Sequence, residues 1–190
     1  SGNHFVEIAK VVDIFDEKTA NIFDLHTGQI VIQIHTGSRG FGYQVCDDFI
    51  KTAINAAQKY NIELPDRQLA CAPLQSEEGK KYLGAMRCAA NYAFNNRQVI
   101  SSLIRESLLK SLQTNPAELG FRTVWDIAHN IAKIETHNID GRDRKLCVHR
   151  KGATRAFGPD NAALPAKYQS CGQPVLIPGD MGTQSYVCAG

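Results

Sequence analysis

The spacing of apolar positions changes several times along this chain. Residues 6–12, VEIAKVV, read as a strand, and residues 13–19 as a polar turn. Residues 20–25 predict a second short strand. Residues 29–36 carry Ile30, Val31, Ile32 and Ile34, a β-branched run suited to a strand inside a sheet. Gly37, Gly40 and Gly42 then predict a glycine-rich turn, where backbone freedom and close approach are needed. From residue 43 to 60 the spacing becomes helical, with Val45, Phe49, Ala53 and Ala56 or Ala57 near one face. Residues 61–74 form a loop containing Pro65 and Pro73. Ser76 followed by Glu77 and Glu78 predicts a capped second helix with acids in its first turn, its packed face carrying Tyr82, Met86, Ala89, Ala90 and Ala93. Residues 98–112 predict a third helix through Ile100, Leu103, Ile104, Leu108 and Leu112, ended by Asn115-Pro116 and Gly120.

Beyond residue 120 the pattern returns to strands. The alternation at Ala132, Ile134 and Thr136 predicts one, and residues 145–149, 174–177 and 185–189 predict three more. Residues 152–164 are a loop rich in Gly, Pro and Arg, and residues 178–182, PGDMG, are a turn. The expected class is α+β: a single mixed-sheet domain with strand-rich ends and a helical insertion at about residues 76–113.

Composition narrows this only slightly. With 190 residues, 43% hydrophobic and 21% charged, the chain can bury a core as one domain. A net charge of +2 creates no strong field toward nucleic acid. Any such contact has to use local clusters, of which Arg142, Arg144, Lys145, Arg150, Lys151 and Arg155 are the candidates. Six cysteines at irregular spacing, none in a CxxC pair, favour free thiols in a reducing, cytoplasmic setting. No leader or membrane span is legible. The chain opens on SGNHF and closes on SYVCAG, so a fragment of a longer polypeptide, truncated at both ends, is expected.

The candidate chemistry lies in the histidines. His35 closes the central strand, where sheets commonly present ligands. Ser38 and Arg39 add a hydroxyl and a guanidinium suited to phosphate, at the start of a helix. His4 stands between Asn3 and Phe5 with Glu7 nearby, and His129 precedes Asn130. Histidines so far apart cannot make a local zinc knuckle but can converge in a folded site, where imidazoles with oxygen donors suit Zn, Mn, Fe or Ni.

Five motifs, in order, carry a resemblance: GNHF at residues 2–5, HTGSRGFG at 35–42, HN at 129–130, HRKGATRAF at 149–157 and GQPVLIPGDMGT at 172–183. Together they resemble the RtcB-type RNA-splicing ligases across the whole chain, least so at residues 61–120. The resemblance implies a GTP- and Mn²⁺-dependent RNA ligase. Such enzymes join a 3′-phosphate or 2′,3′-cyclic phosphate to a 5′-hydroxyl in tRNA splicing or RNA repair. A histidine takes GMP and passes it to the 3′-phosphate, and the 5′-hydroxyl then displaces it. RNA (tRNA halves or broken ends) is the implied partner, with two Mn²⁺ ions in the complete site. By motif, His4, His35 and His129 match metal ligands, and Asn3 matches a contact to the nucleotide phosphate. Phe5 and Glu7 match the guanine pocket, Arg39 a phosphate or RNA contact, and residues 150–155 and 179–182, with Asp180, Met181 and Gly182, nucleotide-side loops. Asn130 matches either a catalytic residue or one that orders its surroundings.

The resemblance also implies parts that this chain does not contain. The family's aspartate and bridging cysteine belong to a GVDIGCGM-like segment upstream of Ser1, and its nucleophilic histidine to an HGAGR motif downstream of Gly190. No cysteine here takes the bridging role, and the usual GSMG or GTMG turn reads GDMG at residues 179–182. The isolated chain is therefore expected to be inactive. Two alternatives stay open: a metal- and nucleotide-binding remnant without ligation, and a metal-dependent phosphoesterase.

Overall fold

The computed structural model describes residues 4–180 and 182–190. Asn3 and Met181 thus lie outside the described residues. Strand β1 is Phe5–Lys10 and β2 is Ile30–His35, and the two pair. Side chains alternate across β1, so Phe5, Glu7 and Ala9 share the more covered face, as the two-residue spacing of Phe5 and Glu7 requires.

Between these strands the expectation of a second short strand at residues 20–25 fails. The segment is helix α1, Glu17–Phe23. Asp16 caps it, accepting from the Lys18 and Thr19 amides at 3.0 and 3.3 Å and from Thr19 Oγ1 at 2.7 Å. Ala20 and Phe23, three residues apart, then bury one face.

Helix α2, Arg39–Lys59, begins four residues earlier than the spacing suggests, so Gly40 and Gly42 belong to the helix and not to a free turn. At Gly42 a β-carbon would collide with the Ser38 hydroxyl and lie 3.7 Å from the Ala89 β-carbon. The glycine allows close approach to the next helix at that point.

Helix α3 is Glu77–Leu112, a single element of 36 residues where two helices are expected. Ser76 caps it through its hydroxyl and the Gly79 amide at 3.0 Å. The polar stretch between the two expected helices does not break it, because Asn96 and Arg97 send their side chains to carbonyls at the end of β2. Helix α4, Pro116–Leu119, is one short turn with Asn115 as its cap.

Strands β3, Asn130–Ile139, and β4, Arg142–Lys151, form an antiparallel hairpin with Asn130 opposite Lys151 and Ile139 opposite Arg142. Its two-residue turn is Asp140-Gly141, both at positive φ (51° and 76°), the form that matches the twist of paired strands. Strands β5, Pro174–Ile177, and β6, Tyr186–Ala189, pair antiparallel. The class is α+β as expected, but the described strands form three two-stranded sheets in place of a single mixed sheet.

The chain forms two compact units. One comprises residues 34–114 with the described residues before Val6; the other comprises residues 6–33 and 115–190. In the first, α2 packs on α3, and Ala56, Ala57, Ala89 and Ala93 are buried. Ring pairs Phe49–Tyr82 and Phe41–Tyr92 lie in the same unit. In the second, Ala20, Phe23, Leu25 and Tyr168 form the core. The Tyr168 ring meets those of Phe23 and Trp125 edge-on, and its hydroxyl donates to the Val124 carbonyl at 2.8 Å.

Candidate active site

Within the first unit, candidate residues gather where β2 ends. The Phe5 ring stands edge-on to the His35 imidazole, with centroids 5.1 Å apart at 77°. Thr36 Oγ1 and His4 Nδ1 hydrogen-bond at 3.2 Å. Thr36 is itself held from α3, since its carbonyl accepts from Arg97 Nη1 at 3.1 Å and the Gly37 carbonyl accepts from Asn96 Nδ2 at 3.0 Å. Arg97 is 9% exposed and lies over the Phe94 ring at 4.5 Å. The helix thus ties down the backbone immediately after His35. Sequence reading missed Thr36, Asn96 and Arg97; the signal for the last two was the polar Asn-Asn-Arg run at residues 95–97. Arg39, exposed at the start of α2, has a φ of 54°. That left-handed backbone is unusual for a residue carrying a β-carbon.

Within the second unit, His129 sits half-buried at the foot of the hairpin. Asn130 Oδ1 accepts from the Gly152 amide at 2.9 Å, closing the hairpin's open end. Further along, Arg155 Nε donates to Gln173 Oε1 at 2.9 Å, and Gln173 Nε2 returns a bond to the Arg155 carbonyl. Gln173 is fully buried, and the Arg155 guanidinium lies over the Phe157 ring at 4.6 Å. The loop of residues 152–157 is therefore held in place by an amide that sequence reading did not single out. At the PGDMG turn, Asp180 Oδ1 accepts from Thr183 Oγ1 at 2.7 Å, and Thr183 Oγ1 accepts from the Asp180 amide at 2.8 Å. The Asp180 carboxylate is thus engaged in its own turn, and Gly182 has a φ of 112°.

A family model described as tRNA-splicing ligase RtcB matches residues 1–190. The chain belongs to this family. It is 56% identical over 190 residues to the tRNA-splicing ligase RtcB of Methanococcus maripaludis and 53% identical to that of Archaeoglobus fulgidus. The Methanocaldococcus jannaschii relative of the same name is 54% identical. Each match covers 100% of this chain but only 40%, 39% and 20% of the respective relative, so the chain spans two-fifths or less of these relatives.

Of the RtcB motif residues, the structure brings His4, Phe5 and His35 together with Thr36 in one unit, whereas His129, Asn130 and Asp180 belong to the other. Glu7 shares the Phe5 face of β1. Among the described residues, no three His, Cys, Asp or Glu side chains form a group that could hold a metal ion. At His4, Thr36 engages Nδ1, so Nε2 is the ring nitrogen that would be offered to a metal ion. Of the remaining histidines, His137 Nε2 pairs with Glu135 at 3.0 Å and His149 Nδ1 with the Cys147 carbonyl at 3.0 Å. All six cysteines are free. Among the described residues, no helix is long and apolar enough to cross a membrane.

Proposed function

We propose that this chain is part of a GTP- and Mn²⁺-dependent RNA ligase. The enzyme joins a 3′-phosphate or 2′,3′-cyclic phosphate end to a 5′-hydroxyl end. The observation that supports the reading is the RtcB match along all 190 residues. In this reading His4, His35 and His129 hold Mn²⁺. An ion held there would supply positive charge to offset that of the phosphates, the chemistry that a phosphoryl or nucleotidyl displacement needs. Thr36 orients the His4 ring through Nδ1, and Arg97 holds the Thr36 carbonyl. Asn3, Phe5 and Glu7 bind the guanine nucleotide with the 179–182 turn, Glu7 accepting from the base edge. Arg39 binds phosphate. The histidine that takes GMP is none of the six here, because none matches the family's HGAGR motif.

Grafting this chain in place of the corresponding stretch of the M. maripaludis relative tests the reading. The chimera is expected to join 3′-phosphate and 5′-hydroxyl RNA ends only with both GTP and Mn²⁺. A soluble chimera that binds neither Mn²⁺ nor GTP would overturn it. The 190-residue chain alone, incubated with labelled GTP and Mn²⁺, is expected to stay unlabelled on a denaturing gel. A label mapping to His129 or His149 would place the nucleophile inside this segment instead.

A further inference from the structure

The β3–β4 hairpin carries six Lys and Arg against three acids in a chain whose net charge is only +2. The register sorts these charges. Residues directly opposite in an antiparallel pair share a face, and so do alternate residues of one strand. One face therefore holds Ile131, Lys133, Glu135, His137 and Ile139 with Arg142, Arg144, Leu146, Val148 and Arg150. Lys145 and Lys151 lie on the opposite face.

The first face has a single acid, Glu135, and that acid is spent. Arg150 binds it with both terminal nitrogens at 2.7 and 2.9 Å, and His137 adds a third contact at 3.0 Å. The Arg150 pair holds the Glu135 carboxyl down at about 2, so it stays ionised and neutralised. The other two acids are elsewhere: Asp140 in the turn, and Asp143 on the opposite face, where it accepts from Asn138 at 3.1 Å. What remains on the first face is Lys133, Arg142 and Arg144, all exposed and in no ion pair among the described residues. The hairpin has no Phe, Tyr or Trp, so it offers no platform for base stacking.

We propose that this face binds the phosphate backbone of single-stranded RNA, without reading its sequence, and leads the strand toward the His129 end of the hairpin. The assignment rests on the ligase reading for its choice of polyanion. Each ten-residue strand reaches about 34 Å at roughly 3.4 Å per residue, long enough for several nucleotides. Guanidinium forks at Arg142 and Arg144, two positions apart on one strand, suit successive phosphate groups.

Arg144 and Lys145 are neighbours in sequence on opposite faces, and this gives the test. Binding of a fluorescein-labelled single-stranded RNA to the whole chain is followed by anisotropy from 50 to 300 mM KCl, for wild type, Arg144→Gln, Arg142→Gln/Arg144→Gln and Lys145→Gln. All three positions are exposed, so folding is checked by circular dichroism and is expected to be unchanged. Wild type is expected to bind RNAs of different sequence alike. The double variant is expected to lose affinity several-fold and to lower the salt slope by about 1.4, at roughly 0.7 per phosphate contact. Lys145→Gln is expected to bind as wild type does. Equal losses in Arg144→Gln and Lys145→Gln would overturn the proposal. So would undiminished binding by the double variant, absence of RNA binding by wild type, or retention on phosphatidylserine vesicles but not on RNA. Because the assay uses neither GTP nor Mn²⁺, a chimera that fails to ligate while this chain still binds RNA through Arg142 and Arg144 would reject the ligase reading and keep the surface.

Discussion

Two residues do more here than their types suggest. Glu135 meets Arg150 in a two-pronged pair of which only 9% and 12% of the side chains are exposed. Its depressed pKa means the pair contributes stability above the ordinary carboxylate range, and that this contribution is lost as pH falls through about 2. Glu135→Gln leaves the Arg150 fork short of its partner and is expected to cost about 1–3 kcal/mol at pH 7, measured by urea unfolding. The gap between wild type and variant should narrow between about pH 4.5 and 2. A constant gap across that range would mean the carboxylate's charge is not what matters. Thr36 is the second. If His4 ligates metal through Nε2, Thr36→Val removes the bond that orients the ring and should weaken Mn²⁺ binding by about 10-fold in the chimera, read by electron paramagnetic resonance. Unchanged affinity would detach Thr36 from the site.

At the scale of elements, α3 sets local propensity against packing. Gly79 lies in its first turn, where replacing glycine by alanine ordinarily helps a helix by roughly 0.5–1 kcal/mol. A β-carbon at this glycine would run into the Pro73 carbonyl oxygen, which already accepts from the Ser76 amide and hydroxyl at 3.0 and 2.7 Å. Gly79→Ala is therefore expected to destabilise by about 1–3 kcal/mol in thermal or urea unfolding, against the propensity rule. Ser76→Ala, which removes the cap at the same end, should cost about 1 kcal/mol. A stabilised Gly79→Ala would show that the Pro73 loop yields.

For the molecule as a whole, charge and chemistry are unevenly placed. The chain carries almost no net charge, yet one hairpin face keeps three exposed cations after its acid has been neutralised. RNA affinity should accordingly fall steeply with salt while remaining indifferent to base sequence. If the ligase reading holds, the 190-residue chain should bind Mn²⁺ far more weakly than the grafted chimera, because the three histidines proposed as ligands bring no anionic donor of their own. Equal affinity by titration would mean the chain's own residues suffice.

Periodicity alone determined the α+β class, β2, the bodies of α2 and α3, and the strands near the end, because burial enforces a spacing of two or 3.6 wherever one face meets a core. The candidate site residues were named from the family resemblance of their motifs, since periodicity says nothing about chemistry. Tertiary structure decided the rest. Residues 17–23 became a helix because the Asp16 cap and the Tyr168 surface outweighed an ambiguous short apolar run. Two expected helices became one because Asn96 and Arg97 found carbonyl partners about sixty residues away, a contact no local window contains. The cations of residues 142–151 read as a single cluster along the sequence. Only the pairing register divided them between two faces, since a strand turns successive side chains to opposite sides and the opposing strand decides what stands beside them.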